Sequence, residues 1–156
     1  MPYWLMKSEP DEFSVTDLEK RETGRWDGVR NYQARNHLRA MQPDDLFLFY
    51  HSSCPIPGVA GIGRIVRGAY PDPTATDPQS PYFDPKTAGS GRNPWSAVDV
   101  AHVETFAQVL PLTALKAEPA LAELALVQRG SRLSVMPVGE REWAQILRMA
   151  RSSQAI

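Results

Sequence analysis

Residues 24–36, GRWDGVRNYQARN, combine side chains that could recognise a flat ligand. Trp26 offers an aromatic face, and stacking on such a face stabilises a bound nucleobase by about 1–3 kcal/mol. Asn31 carries a donor and an acceptor, and it stands where a helix is predicted to begin, which leaves free backbone N–H groups beside it. The three arginines of the stretch can reach a phosphate or stack on a ring. The stretch therefore predicts a pocket for a planar ligand.

Trp26 also has a purely structural interpretation. A Trp in a short loop often folds back as a lid on the hydrophobic core, where its large apolar surface is buried. Composition and spacing leave both interpretations open. Under the first, the indole is one open wall of a cavity wide enough for a nucleobase. Under the second, apolar side chains enclose it.

Charge is unevenly distributed along the chain, although the net charge at pH 7 is only −1. Residues 1–19 hold five carboxylates and one lysine, whereas residues 20–40 hold six lysines and arginines and two carboxylates. A protein that coats nucleic acid indiscriminately needs a far more basic composition. The basic stretch around Trp26 favours a localised contact with an anionic ligand, and an ordinary solvated face is the alternative.

Other site chemistries find little support in the sequence. The three histidines, His37, His51 and His102, lack the spacing of a zinc site, and we expect neither a metal nor a cofactor. The chain lacks a nucleophile elbow, a P-loop and a dinucleotide-binding glycine motif. The single cysteine, Cys54, excludes an internal disulfide and favours a cytoplasmic location. No apolar run approaches the roughly 18 residues of a membrane span, so no membrane contact is expected.

Hydrophobic patterning predicts the elements that position these residues. Strands are predicted over residues 2–8, 44–52, 58–70 and 95–111, with a hairpin between the second and third. Helices are predicted over residues 14–21, 31–41, 112–118, 119–126 and 139–150, the first two with Ser14 and Asn31 as N-caps. Residues 71–94 are rich in proline and indicate a surface loop with one helical turn at 73–77. Residues 130–138 indicate a loop leading into the last helix.

The order of these elements favours an α+β fold. Strands interrupted by short helices, without regular alternation of the two, are typical of a curled mixed sheet rather than a doubly wound one. The 156 residues, 42% of them hydrophobic, suffice for one core and hence one domain.

Several word-like blocks carry a family resemblance along almost the whole chain, from Tyr3 to about Leu147. The blocks are YWLMKSEPDEFS, WDGVRNYQARN, DLFLFYHS, GVAGIGRIV, YPDPTATD and SRLSVMPV followed by EW. On these blocks the chain is identified as a member of the EVE domain family, a PUA-like family that is similar to YTH domains. The resemblance implies a single domain over residues 1–150 with a C-terminal tail at 151–156. It also implies a PUA-like, mixed β-barrel-like sheet flanked by short helices.

The resemblance further implies a non-catalytic reader of a chemically modified base in nucleic acid. A modified cytosine in DNA is the first expectation, and RNA is an alternative. The implied nucleobase-binding residues are Lys7, Ser8, Trp26, Val29, Arg30, Asn31, Tyr50, Ser52, Ser131, Arg132 and Leu133. The implied phosphate contacts are Arg25, Arg35 and Arg39. Only Trp26 matches a wall of the aromatic cage that YTH domains use, so the identity of the base stays open.

Two alternatives remain beside the reader. PUA-like relatives of the ASCH type use a lysine, a hydroxyl and a carboxylate, and Lys7, Ser8 and Glu9 resemble that set, which would make the chain a small amidohydrolase of modified nucleosides. Adjacent residues of a strand point to opposite faces, so Lys7 and Ser8 are not expected to enter one pocket without a bulge. A module that binds only protein is the weaker alternative.

Overall fold

The computed structural model describes residues 2–153, which are built around a six-stranded mixed sheet. Its strands are β1 (Tyr3–Ser8), β2 (Thr23–Trp26), β3 (Leu46–His51), β4 (Gly58–Pro71), β5 (Ser96–Pro111) and β6 (Val135–Val138). They follow the order β2-β5-β4-β3-β1-β6 across the sheet. Strands β1 and β3 are parallel, and the other neighbours are antiparallel. The predicted hairpin is confirmed as the pair β3 and β4.

Short helices flank this sheet. The α-helices are α1 (Val15–Arg21), α2 (Tyr32–Ala40), α3 (Pro85–Ser90), α4 (Leu112–Ala117) and α5 (Glu140–Ser153). Single 3₁₀ turns lie at Pro73–Thr76, Pro119–Leu121 and Ala125–Val127. The predicted α+β class is thereby confirmed. The tail predicted at 151–156 begins inside α5, which is described as far as Ser153, and residues 154–156 lie outside the described residues.

Each face of the sheet has its own hydrophobic cluster. Trp4 and Phe47 belong to the cluster beneath α1 and α2, whereas Leu5 and Leu48 belong to the one beneath α4 and α5. Alternate residues of β1 and β3 therefore enter opposite clusters, which explains why both strands are continuously apolar. Gly63 of β4 lies against the Phe47 ring, where a Cβ would collide with it. Glycine in a strand interior is typical of such a close approach.

Two of the predicted helix starts are confirmed in detail. The Ser14 hydroxyl accepts from the Asp17 backbone N–H, and the Asp17 carboxylate accepts from the Ser14 N–H, which completes a capping box. The Asn31 Oδ1 accepts from the Ala34 N–H at 2.9 Å and caps α2. Helix α2 turns Leu38 into the core, and this leaves the loop of residues 27–31 at one end of the sheet.

Four local predictions are wrong. Residues 130–138 do not form only a loop, because β6 pairs with the edge of β1, where Pro137 is tolerated. Residues 23–26 form β2 on β5 rather than loop, since long-range pairing substitutes for a local pattern. The helix predicted at 119–126 consists of two 3₁₀ turns. In residues 71–94 the predicted helical turn is confirmed at Pro73–Thr76, but the segment also contains α3, which the prolines obscured.

Candidate functional site

A cavity of about 580 Å³, here called the main cavity, lies at the ends of β1 and β2 and beside the loop of residues 27–30. Seven of the eleven predicted base-binding residues line it: Lys7, Ser8, Trp26, Val29, Arg30, Ser52 and Arg132. Strand pairing explains part of this assembly, because β1 and β3 are parallel and end side by side. Ser8 and Ser52 meet there, with the Ser52 N–H donating to the Ser8 carbonyl at 3.0 Å.

Trp26 has features of both interpretations that the sequence left open. It is 5% exposed, and its ring meets Phe13, Phe47 and Phe49 edge-on at centroid distances of 5.8, 5.6 and 5.1 Å. The same residue lines the main cavity. Among residues 2–153, its indole N–H has no hydrogen-bond partner. In the same range every unpartnered side-chain N or O retains contact with solvent, and this includes the indole N–H. The phenylalanines thus hold rigidly an aromatic wall that also has a free donor.

Arg30 lines the main cavity, but its guanidinium is committed to the protein. Its N–H groups donate to the carboxylate of Asp72, the carbonyls of Val29 and Tyr82, and the hydroxyl of Thr74, at 2.7–3.1 Å. Asp72 is fully buried and also accepts from the Gly28 N–H at 2.9 Å. Burial raises the pKa of this carboxyl, and the hydrogen bonds from Thr74, Gly28 and Arg30 outweigh it and lower the pKa below its usual value. This network ties the proline-rich segment to the loop beside Trp26.

Lys7 is a half-buried cation at the inner end of the cavity. Its ammonium lies 5.7 Å from the Tyr50 ring centroid, and it forms no ion pair with any carboxylate in the part of the chain that the structure describes. Burial lowers its pKa from the usual value for lysine, because desolvation penalises the charged form. A cation in this setting is available to an acceptor that enters the cavity.

Lys7, Ser8 and Glu9 all border the main cavity, which lies at the end of β1. The side-chain contacts of Lys7 with Tyr50 and of Ser8 with Phe13 nevertheless lie on opposite faces of the sheet, as strand alternation predicts. The Ser8 hydroxyl donates to the Phe13 carbonyl at 2.7 Å. Its proton is thereby directed at the protein backbone.

Tyr82 is a wall of the cavity that the sequence analysis missed. Gly28 has a φ of +77°, and a Cβ built on it would lie 2.8 Å from the Tyr82 ring, so the ring packs directly on the glycine. The Tyr82 hydroxyl donates to Glu12 Oε2 at 2.7 Å. Burial, together with this contact to Glu12, raises the pKa of the phenol. Nothing local in residues 71–94 signals this role, although the glycine at 28 indicates a position that needs a positive φ.

Four predicted base-binding residues lie outside the main cavity, in two shallower recesses beside it. Asn31, Ser131 and Leu133 line one near the start of α2, here called the α2 recess, together with Arg132. Tyr50 lines the other, here called the α4 recess, together with Lys7, Lys116, Arg129 and Ser131. Burial raises the pKa of Tyr50 to about 12. Lys7 and Arg132 each border the main cavity as well, so the three concavities are adjacent.

The predicted phosphate contacts all have partners within the protein. Arg25 donates to Asp27 at 2.8 Å at the rim of the main cavity. Arg35 and Arg39 of α2 donate to the Pro94 carbonyl at 3.2 and 3.0 Å, and Arg39 also donates to the Ser96 hydroxyl. Arg39 is nevertheless exposed, and Arg35 is partly buried. They brace the end of the proline-rich segment.

Among residues 2–153, no cluster of three or more His, Cys, Asp or Glu side chains is arranged to hold a metal ion. No helix in this range has the length and apolar character needed to cross a bilayer.

The open, six-stranded mixed sheet with short flanking helices defines a PUA-like α+β protein, in agreement with solved relatives of this fold. The chain belongs to the EVE domain family, which it matches over residues 2–149. Among curated proteins, mouse thymocyte nuclear protein 1 is 43% identical over 164 residues, covering 93% of this chain and 72% of the relative. The family predicted from the sequence is confirmed.

Solved structures agree with this assignment. A protein from Pseudomonas syringae is 61% identical, with a TM-score of 0.93 over 95% of this chain and 99% of the other. Human THYN1, solved in complex with DNA containing 5-methylcytosine, is 38% identical, with a TM-score of 0.90 over 96% of this chain and 98% of the other. A YTH domain from Zygosaccharomyces rouxii, at 13% identity and a TM-score of 0.52, shares the fold alone.

Proposed function

We propose that this chain binds nucleic acid by taking a chemically modified base into the main cavity, and that a modified cytosine in DNA is the preferred base. The observation that carries the proposal is the Trp26 wall, held edge-on by three phenylalanines in a cavity of about 580 Å³. The complex of human THYN1 with DNA containing 5-methylcytosine supports the same class of ligand for a relative.

The cavity offers a base the interactions that it needs. Trp26 supplies a stacking face and a free N–H, and Tyr82 bounds the cavity at the Gly28 side. Lys7 supplies a donor from a desolvated position, where a charge-assisted hydrogen bond is stronger than in water. A base must leave its stack to enter, at a cost of a few kcal/mol, so single strands and flipped bases are the expected substrates.

The predicted base-binding residues then divide by task. Lys7, Ser8, Trp26, Val29 and Ser52 contact the base, and Arg30 positions the loop from within the protein. Asn31, Tyr50, Ser131, Arg132 and Leu133 contact the nucleotides beside it, in the two recesses. Arg25, Arg35 and Arg39 stay in the proposal as outer phosphate contacts. To bind a phosphate, each guanidinium must divide its donors between the phosphate and its present partner in the protein.

Binding to matched oligonucleotides tests the proposal. Fluorescence anisotropy compares labelled strands that carry one 5-methylcytosine with the same strands carrying cytosine, as single-stranded DNA, duplex DNA and RNA. We expect the modified DNA to bind more tightly, and Trp26→Phe to reduce the preference, because stacking contributes about 1–3 kcal/mol per base. Trp143→Phe, which changes an indole in the other core cluster, is the matched control. Equal affinity for modified and plain strands would refute the proposal.

An amidohydrolase of modified nucleosides is the second candidate, because Lys7, Ser8 and Glu9 line one cavity. Attack on an acyl group needs a Ser8 hydroxyl whose proton a base can take, and in the structure that proton is directed at the Phe13 carbonyl. Incubation with acylated nucleosides tests this candidate. Turnover that is lost in Ser8→Ala would establish it, and absence of turnover would exclude it for these substrates.

The cytoplasmic location expected from the cysteine count stays a prediction. Several relatives carry the name thymocyte nuclear protein 1, which gives that location no support. Fluorescent tagging of the chain in its own cells would test it.

A further inference from the structure

The charges that border the three concavities differ in sign. The main cavity has Glu9, Glu12 and Asp27 among its lining residues as well as cations. The charged residues that line the α4 recess are Lys7, Lys116 and Arg129, and the one that lines the α2 recess is Arg132. Among the residues that the structure describes, no carboxylate lines either recess. The charged side chains of the two recesses are therefore all cations, although the whole chain has a net charge of −1.

These four cations are also unpaired. Within residues 2–153, Lys7, Lys116, Arg129 and Arg132 form no ion pair, whereas Arg25, Arg30, Arg64 and Arg151 each have a carboxylate partner. Lys116, Arg129 and Arg132 are exposed. Exposed cations that are gathered without acidic partners attract a polyanion and release its counterions on contact.

Residues 128–132 carry two of these cations and lie between the two recesses. The Gln128 side-chain amide donates to the Ala122 carbonyl, which fastens the start of this segment to the 3₁₀ turns. Gly130 has a φ of +77° with nothing within 4 Å of a built Cβ, so the turn is open on its outer side. Arg129 and Arg132 are thus presented on either side of an accessible backbone bend that borders the main cavity.

We propose that the nucleic-acid strand continuing from the recognised base passes Arg132 at the border of the main cavity and crosses residues 128–132 into the α4 recess, where its phosphates contact Lys116 and Arg129. This inference rests on the proposed function, since the main cavity defines where the base lies. It assigns the continuing backbone to the α4 side of the cavity, in addition to the outer phosphate contacts proposed at Arg25, Arg35 and Arg39.

The double variant Lys116→Gln/Arg129→Gln tests the path, because both residues lie outside the main cavity and both are exposed. Dissociation constants for modified and unmodified single strands are measured at several salt concentrations. Since each phosphate contact contributes about 0.7 to the salt slope for a single strand, we expect the slope to fall by about 1.4. We also expect both strands to lose about tenfold in affinity near physiological salt, with their ratio unchanged. The control Lys86→Gln/Arg141→Gln removes the same charge from exposed positions on α3 and α5 and should leave the slope unchanged.

Each outcome is decisive. An unchanged salt slope in Lys116→Gln/Arg129→Gln overturns the path, and so does an equal fall in the control. The cations of the recesses would then bind a different acidic partner. A loss of the modified-to-unmodified ratio would overturn it too, since these residues would then contact the base. If the unaltered chain shows no preference for the modified strand, the proposed function fails. A slope change confined to the first variant would in that case still support contact of a strand with the α4 recess, without a modified base in the main cavity.

Discussion

Arg30 donates from Nη1 to Oδ2 of Asp72 across 3.0 Å, and the Asp72 side chain is fully buried. Removing one partner of a buried ion pair typically costs about 3–5 kcal/mol, because it leaves an uncompensated charge. The Arg30 side chain is 23% exposed, which reduces that cost. We expect Arg30→Met to lower the free energy of unfolding by about 2–3 kcal/mol, measured by chemical denaturation.

Arg64→Met is the matched control for this prediction. Its pair with Asp44 has a similar length of 3.1 Å, but the two side chains are 42% and 68% exposed. Exposed pairs contribute about 0–1 kcal/mol. Equal losses in the two variants would contradict the view that Arg30 holds the proline-rich segment against the cavity.

Gly28→Ala should damage the cavity wall. A residue other than glycine at a φ of +77° costs about 1–3 kcal/mol, and the new methyl group would also displace the Tyr82 ring. Gly91→Ala imposes comparable backbone strain at a φ of +72°, with nothing within 4 Å of the new Cβ. We expect thermal unfolding to show a larger loss for Gly28→Ala, and binding to methylated oligonucleotide to fall in that variant alone. Equal binding by both variants would argue against Tyr82 as a wall of the site.

Lys7→Met should separate binding from stability. Burial lowers the pKa of Lys7, which means that the folded protein disfavours its charge, so the apolar substitute should keep or raise the melting temperature. The affinity for methylated oligonucleotide should fall by about tenfold or more, as expected for the loss of a hydrogen bond to a charged group worth about 1.5–3 kcal/mol. Lys20→Met, at an exposed position on α1, serves as the comparison. Unaltered affinity in Lys7→Met would remove this residue from the site.

His51 should make the stability depend on pH. Its Nε2 accepts from the Val15 N–H at 3.1 Å, which requires the neutral ring, and burial lowers its pKa below the usual 6.5. The unfolded chain therefore binds more protons in the window below pH 6.5. The stabilisation by His51 is complete above that pH and is lost as the pH falls towards the pKa of the folded state.

His51→Gln keeps an acceptor for Val15 without the titration. Urea denaturation between about pH 5 and 7.5 should show a smaller decline in stability for the variant than for the unaltered chain. Burial lowers the pKa of His37 as well, so part of the decline should persist in both. Identical profiles would show that His51 does not contribute.

The sequence correctly predicted those helices and strands that depend on interactions between residues close together in the chain. Ser14 and Asn31 cap the helices that they were expected to cap, because a cap depends on a hydrogen bond within three residues. The apolar runs of β1 and β3 were recognisable because burial on both faces removes polar residues from a strand. In contrast, β2 and β6 owe their existence to the edges of β5 and β1, and four residues carry too little pattern to indicate a strand.

The residues of the candidate site likewise include some that local sequence indicates and others whose role depends on distant segments. Trp26 was recognisable because a large aromatic residue among glycines and arginines is unusual wherever it lies. Arg30 was assigned to the ligand, and the structure satisfies its donors within the protein through Asp72 and Tyr82, which lie 42 and 52 residues away. A sequence shows that a guanidinium is present but not which acceptors the fold brings to it.

By itself, the sequence determined the α+β class, the family and the capped helices, and it singled out Trp26 as a candidate wall of the site. Only the tertiary structure decided that Trp26 both packs on phenylalanines and borders a cavity, that Tyr82 forms another wall, and that Arg35 and Arg39 brace a loop. The physical reason is the separation along the chain over which each interaction acts. Caps and hydrophobic periodicity act over a few residues, whereas cavity walls, buried ion pairs and unpaired cations depend on segments that meet only when the sheet has formed.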